Sequence, residues 1–232
     1  FSESTIASSS SLPLSGKTAV ITGSGRRGGL GEAIAKRLAQ DGANIVISDI
    51  GQSRDASTGA EHIGGSDEMK SIAEELRGMG VESSTCVCDV RSLEDMRKLA
   101  KHAKDTHGSL DIWVNNAGAD VLTGAAAHWT FDEKLARLWA VDVLGTIGLS
   151  RSAGARMRAD GGGTILNIGW DQAEVGQGGN SGEIFSTTKG AIMAFSRSLA
   201  KSLAPTVRVN CLAPGWIRTS WGESTSTYWD ER

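Results

Sequence analysis

Residues Lys17–Gly31, KTAVITGSGRRGGLG, decide how the rest of the chain is read. Thr18 to Ile21 is a short apolar run that reads as a buried strand. Gly23 to Gly31 is a glycine-rich turn, and the amphipathic stretch from Leu30 to Gln40 starts a helix. A strand, a glycine turn and a helix N-terminus together make a place for a pyrophosphate. The glycines let the backbone come close to a ligand, and the helix start offers unpaired N–H groups and the positive end of its dipole. A plain glycine-rich surface turn has the same local look, so the weight falls on what accompanies it.

Outward from this turn, strand-like and helix-like stretches alternate. Asn44 to Ser48 is a second strand with Asp49 at its C-terminal end, followed by a polar loop from Ile50 to Gly65. Asp67 to Met79 has helical spacing, with Met69, Ile72, Ala73 and Leu76 on one face, and Gly80 ends it. Val81 to Val87 is a third strand that closes on Cys88–Asp89–Val90. Leu93 to His107 is the next helix, stopped by Gly108, and Asp111 to Val114 is a fourth strand running into Asn115–Asn116–Ala117–Gly118. A long helix is expected from about Thr130 to Arg158, with Thr130 as N-cap and Glu133 placed for a capping box. Thr164 to Ile168 is a fifth strand and Gly169 to Gly182 an irregular glycine-rich segment. Glu183 to Leu203 is a helix stopped at Pro205, and Val207 to Leu212 is a sixth strand before Ala213–Pro214–Gly215. The remaining residues have no clear periodicity.

This alternation implies an α/β fold, a doubly wound parallel sheet with helices on both faces. In such sheets the ligand sits beyond the carboxyl ends of the strands. The glycine turn, Asp49, Asp89, Asn115–Gly118, Gly169–Asp171 and Pro214–Gly215 all fall at those ends. That agreement is far stronger than any single motif.

Composition sets the outer bounds. A chain of 232 residues holds one such domain and not two, so residues 16–232 read as a single dinucleotide-binding domain behind a Ser-rich, flexible arm of residues 1–15. A net charge of −3 implies no broad attraction to nucleic acid or to an anionic membrane. No run of about 18 apolar residues is present to span a bilayer, and the N-terminal arm lacks the basic and apolar regions of a secretory signal. Cys86, Cys88 and Cys211 form neither a disulfide framework nor a zinc spacing, and read as small hydrophobes in a reducing, cytoplasmic setting. No metal site is indicated.

The chain resembles the short-chain dehydrogenase/reductase family over roughly Ser15 to Thr219. The resemblance rests on Thr22–Gly23 with Gly29–Leu30–Gly31, Asp89–Val90, Asn115–Asn116–Ala117–Gly118, Lys189 in its helix, and Pro214–Gly215–Trp216–Ile217–Arg218–Thr219. It implies a Rossmann-like strand order 3-2-1-4-5-6, a nicotinamide dinucleotide, a small-molecule substrate and a homodimer or homotetramer. By matching, Gly23, Gly29, Leu30 and Gly31 would meet the pyrophosphate, and Asp49 would accept from the adenosine ribose hydroxyls. Asp89 and Val90 would hold the adenine, Asn115, Ala117 and Gly118 would line the central strand end, and Pro214, Gly215, Ile217 and Thr219 would meet the nicotinamide end. Lys189 would face the nicotinamide ribose. A carboxylate at Asp49 repels a 2′-phosphate and favours NAD. Arg26 and Arg27 pull toward NADP.

Two departures matter. The glycine turn has five residues, Ser24 to Gly28, between its first two motif glycines, where the family has three. The family's proton-transfer residues are also replaced: Phe185 stands for the Tyr, Trp170 for the Ser, and Asp142 for the supporting Asn, so only Lys189 remains. The first reading is an oxidoreductase acting on a carbonyl or alcohol with a substitute acid. Asp171 is the favoured residue, since a carboxyl desolvated beside Trp170 and Phe185 can stay protonated. The alternatives are a non-catalytic dinucleotide-binding or regulatory protein, and a lyase- or isomerase-type reaction on the same scaffold. Family members also continue past the Pro–Gly segment into a seventh strand, whereas this sequence stops 17 residues after Gly215, so it is expected to be a piece of a longer polypeptide. Trp221, Tyr228 and Trp229 read as parts of a lid.

Overall fold

A computed structural model describes residues 11–52 and 64–224. Most of the N-terminal arm, the centre of the 50–65 loop, and Tyr228 and Trp229 lie outside the described residues. Six strands form one sheet: β1 (Thr18–Thr22), β2 (Asn44–Asp49), β3 (Ser83–Val87), β4 (Ile112–Asn115), β5 (Gly163–Ile168) and β6 (Val207–Leu212). Every pairing is parallel and the order is β3-β2-β1-β4-β5-β6, as expected. Between the strands run α1 (Leu30–Gln40), α2 (Ser66–Gly78), α3 (Leu93–His107), α4 (Phe131–Leu138), α5 (Gly145–Ala159), the short α6 (Gln172–Val175) and α7 (Gly179–Leu203), with α8 (Ser220–Ser224) after β6. No helix among the described residues is long and apolar enough to cross a membrane.

Strands covered on both faces read as continuous apolar runs, because alternate side chains enter different cores. On one face Val20, Val46, Trp113 and Ile165 meet Leu99 of α3, Leu149 of α5 and Leu203 of α7. On the other, Ile21, Ile45, Ile47 and Val114 meet Ala35 of α1 and Ile72 and Leu76 of α2. Leu14 packs against this second core, and its N–H donates to the Asp41 carbonyl at 2.8 Å.

The helix expected over 130–158 is not continuous α-helix. Its start is as expected: Thr130 and Glu133 form a reciprocal capping box. Between α4 and α5, however, Trp139–Leu144 is π-helical. The wider turn carries Asp142, which is 2% exposed and therefore needs partners. Helix α7 begins at Gly179, four residues before the expected Glu183; Gly179, Ser181 and Gly182 carry no apolar periodicity that would mark this start in the sequence.

Candidate active site

A cleft of about 390 Å³ opens at the carboxyl ends of the strands. Its lining brings together most of the residues singled out in the sequence. Gly23, Arg26, Gly29, Leu30, Asp49, Asp89 and Val90 lie toward one end, and Ala117, Gly118, Asp142, Trp170, Phe185, Lys189, Gly215, Ile217 and Thr219 complete it. Gly31, Asn115, Pro214 and Asp171 are not in the lining.

Gly31 acts from behind the turn. A Cβ there would stand 2.5 Å from the Gly23 carbonyl oxygen and 2.7 Å from Asn116 Nδ2, so only glycine lets α1 close against the turn. Asn116, rather than Asn115, is the cleft residue of its pair. Its Nδ2 donates to the carbonyls of Thr22 and Gly23 at 3.0 and 2.8 Å and pins the turn to β4. Asn115 is 3% exposed and faces the core, where it accepts from Trp113 Nε1 and donates to Ser150 Oγ and Asn167 Oδ1. Asn167 Nδ2 in turn donates to Ser196 Oγ at 2.8 Å. A buried network completed in this way joins β4 and β5 to α5 and α7.

At the end of β2, Asp49 accepts N–H bonds from Gly25 at 3.0 Å and from Ile50 at 2.8 Å. Burial pushes its carboxyl up, against the pull of the Ile50, Gly25 and Gly64 N–H groups and of the Arg26 charge. Asp89 is held bidentate by Arg91, which keeps its carboxyl below the usual range. Arg91 and Arg137 also line this end. Neither stood out in the sequence, although Arg91 follows the Asp89 motif by two residues. Cys88 lies in the same wall, its thiol pushed up to about 12, chiefly by burial. Arg27 faces away from the cleft and ties α1 to α2 through Glu32, Glu75 and Ser71.

At the other end Lys189 Nζ stands 3.0 Å from Asp142 Oδ2 and donates to the Ile168 carbonyl at 3.5 Å. Asp142 Oδ1 accepts the Ala119 N–H at 2.9 Å. The aromatic wall is Trp170, set edge-on to Phe185 at 6.4 Å and to Trp216 at 6.0 Å between ring centroids. Asp171 caps α6 instead. Its Oδ1 accepts the Gln172 N–H at 2.7 Å, its own N–H donates to the Pro214 carbonyl, and its Oδ2 lies 2.9 Å from where a Cβ on Gly215 would be.

A nicotinamide dinucleotide fits these residues. The glycine turn forms a tight cradle at the start of an 11-residue helix, a carboxylate stands at the end of the neighbouring strand, and one cleft joins them to Lys189. The comparisons with known proteins agree. A family model described as enoyl-(acyl carrier protein) reductase matches residues 23–229. The pig (Sus scrofa) dehydrogenase/reductase SDR family member 4 is 34% identical over 215 residues, covering 91% of this chain and 69% of that protein. The chain belongs to the short-chain dehydrogenase/reductase family. Oxidoreductase UcpA of Escherichia coli K12, 32% identical over 213 residues, covers 91% of this chain and 73% of its own length. Among solved structures, an actinorhodin polyketide ketoreductase variant with NADPH superposes with a TM-score of 0.75 at 27% identity, covering 93% of this chain and 76% of that one. A 7α-hydroxysteroid dehydrogenase with NADH and 7-oxo glycochenodeoxycholic acid gives 0.74 at 30% identity, with the same coverage. The dehydrogenase/reductase neighbours thus include both dinucleotides.

Proposed function

We propose that the protein is an NAD-dependent oxidoreductase acting on a small carbonyl or alcohol compound with an apolar body, and that Lys189 handles the proton. The bound dinucleotide supplies or takes the hydride. The chain does the rest. Trp170, Phe185 and Trp216 shield the reacting end from water and receive the apolar body. As charge grows on the substrate oxygen, the Lys189 ammonium gives it a proton, and water restores that proton after the alcohol leaves. Asp142 holds the ammonium in place. The Lys189–Asp142 pair in the cleft wall is the observation that carries this reading. Asp171 is less well supported as the acid, since its carboxylate serves the backbone of α6. Asp49 favours NAD, because a 2′-phosphate beside a carboxylate is repelled. A homodimer or homotetramer belongs to the same proposal, supported by the exposed apolar side chains Phe131, Trp139 and Leu144.

The test is substrate-dependent NADH oxidation over a broad carbonyl panel. Lys189→Met is expected to lower turnover by about 10²–10⁴-fold, with Asp171→Asn near the wild-type rate. The opposite pattern gives the proton to Asp171. A second reading is favoured by Phe185 and Trp170, which have no hydroxyl to offer: a protein that binds the dinucleotide and passes on its presence. NADH binding without turnover on any member of the panel selects it.

A further inference from the structure

Three strand ends meet the cleft in the order of the sheet: the glycine turn after β1, Asp49 at the end of β2, and Cys88 to Arg91 after β3. A dinucleotide with its pyrophosphate on the turn and its ribose at Asp49 therefore sets its purine over residues 88–91. Asp89, which the resemblance gives to the adenine, has its carboxylate filled from within the chain. Oδ1 accepts the Arg91 backbone N–H and its Nε–H, both at 2.9 Å, and Oδ2 accepts Nε–H at 3.1 Å and Nη2–H at 2.5 Å. A carboxylate has about four lone-pair sites, and these contacts occupy them. The Asp89 N–H in turn donates to Asp95 Oδ2 at 3.0 Å, which fixes the loop that carries the pair.

A purine at this end meets donors. Asp89 takes only part of the planar donor fork of Arg91, the Nε–H and one N–H of Nη2, and its two-point grip fixes the plane of the rest. Arg137 lines the same end, and the Asp89 charge acts on it as well, so two guanidinium groups share one carboxylate. The 6-amino group of adenine is a neutral donor. To reach Asp89 it would have to displace a charged donor whose hydrogen bonds are about twice as strong. A 6-oxopurine instead offers two neighbouring acceptors, O6 and N7, which suit the guanidinium fork. Resting on the dinucleotide reading above, we propose that Arg91, held flat by Asp89, is the residue that reads the base, and that a dinucleotide carrying a 6-oxopurine binds more tightly than its adenine counterpart. This concerns the base alone and leaves the choice between NAD and NADP to Asp49.

The experiment is fluorescence titration of the full chain with NADH, with reduced nicotinamide hypoxanthine dinucleotide, and with reduced nicotinamide mononucleotide, which lacks the base. The hypoxanthine dinucleotide is expected to bind about 3–10-fold more tightly than NADH, the size of one added hydrogen bond. Arg91→Ala releases the Asp89 carboxylate, which accepts from the 6-amino group and repels O6. The order is then expected to reverse, with the mononucleotide unchanged. Arg91→Lys, which keeps the charge and loses the fork, is expected to bring the two dinucleotides level. NADH binding as tightly as the hypoxanthine dinucleotide or more so in the wild type puts the amino group on an acceptor and overturns the proposal. A hypoxanthine preference undiminished in both Arg91 variants overturns it as well. A wild-type chain that binds neither dinucleotide brings down the dinucleotide reading itself, a failure visible before any variant is made.

Discussion

Phe185 and Lys189 lie one turn apart on α7, on the side that faces the cleft. Residues spaced in this way share a helix face, so a hydroxyl added at 185 would stand near the Lys189 ammonium. Phe185→Tyr is therefore expected to raise carbonyl reduction by about 10²-fold or more, because a phenol beside a positive charge loses its proton more easily. The check is turnover against pH in a variant that still binds NADH. A phenol titrating near its ordinary value of about 10, with no gain in rate, would show that Lys189 does not serve position 185. At this scale the sequence was only partly legible. The spacing of Phe185 to Lys189 is a helix repeat and could be read directly. Which of two adjacent asparagines faces the cleft could not, because strand alternation sends Asn115 into the core and the strand end leaves Asn116 on the turn. The setting of Asp171 was hard to read for a similar reason. Its place after β5 was right, but whether its carboxylate enters the cleft or caps α6 depends on a four-residue helix with no periodicity to detect.

At the scale of elements, strands of continuous apolar residues and helices with one apolar face were visible because burial imposes those patterns. The junction between α4 and α5 was not. A π-helical stretch of six residues is too short to show its own spacing against the α-helix on either side, so the run from Phe131 to Ala159 reads as unbroken until the backbone is seen. This junction sets the site, since Asp142 sits on the widened turn and reaches Lys189 across the bundle. The start of the run is held separately, by the hydrogen bonds between Thr130 and Glu133. Thr130→Ala removes the side-chain cap and should cost about 1 kcal/mol. Urea unfolding should show a lower midpoint with an unchanged slope, and NADH affinity should hold, because the π turn lies beyond the frayed end. A loss of affinity comparable to the loss of stability would mean that the cap and the Asp142 turn move as one.

For the whole molecule, the sheet separates two cores on opposite faces, and the cleft lies where loops from both halves of the sheet meet. The turn after β1 belongs to one half and the segment after β6 to the other, and Ser220 hydrogen-bonds Arg26 and the Gly28 carbonyl across the division. A ligand lying across that division would hold the two halves together and favour the folded state over the unfolded one by mass action. NADH at a hundred times its Kd is therefore expected to add about 2.7 kcal/mol of stability, or roughly 5–10 °C in Tm for a chain of this size. Hydrogen exchange should localise the gain. Protection should rise in residues 23–31 and 216–222, which border the cleft, and stay level in β3 and the C-terminal half of α3, at the far edge of the sheet. A rise in Tm with protection spread evenly over all six strands would point instead to NADH acting on overall compactness, and would detach the cleft from the binding.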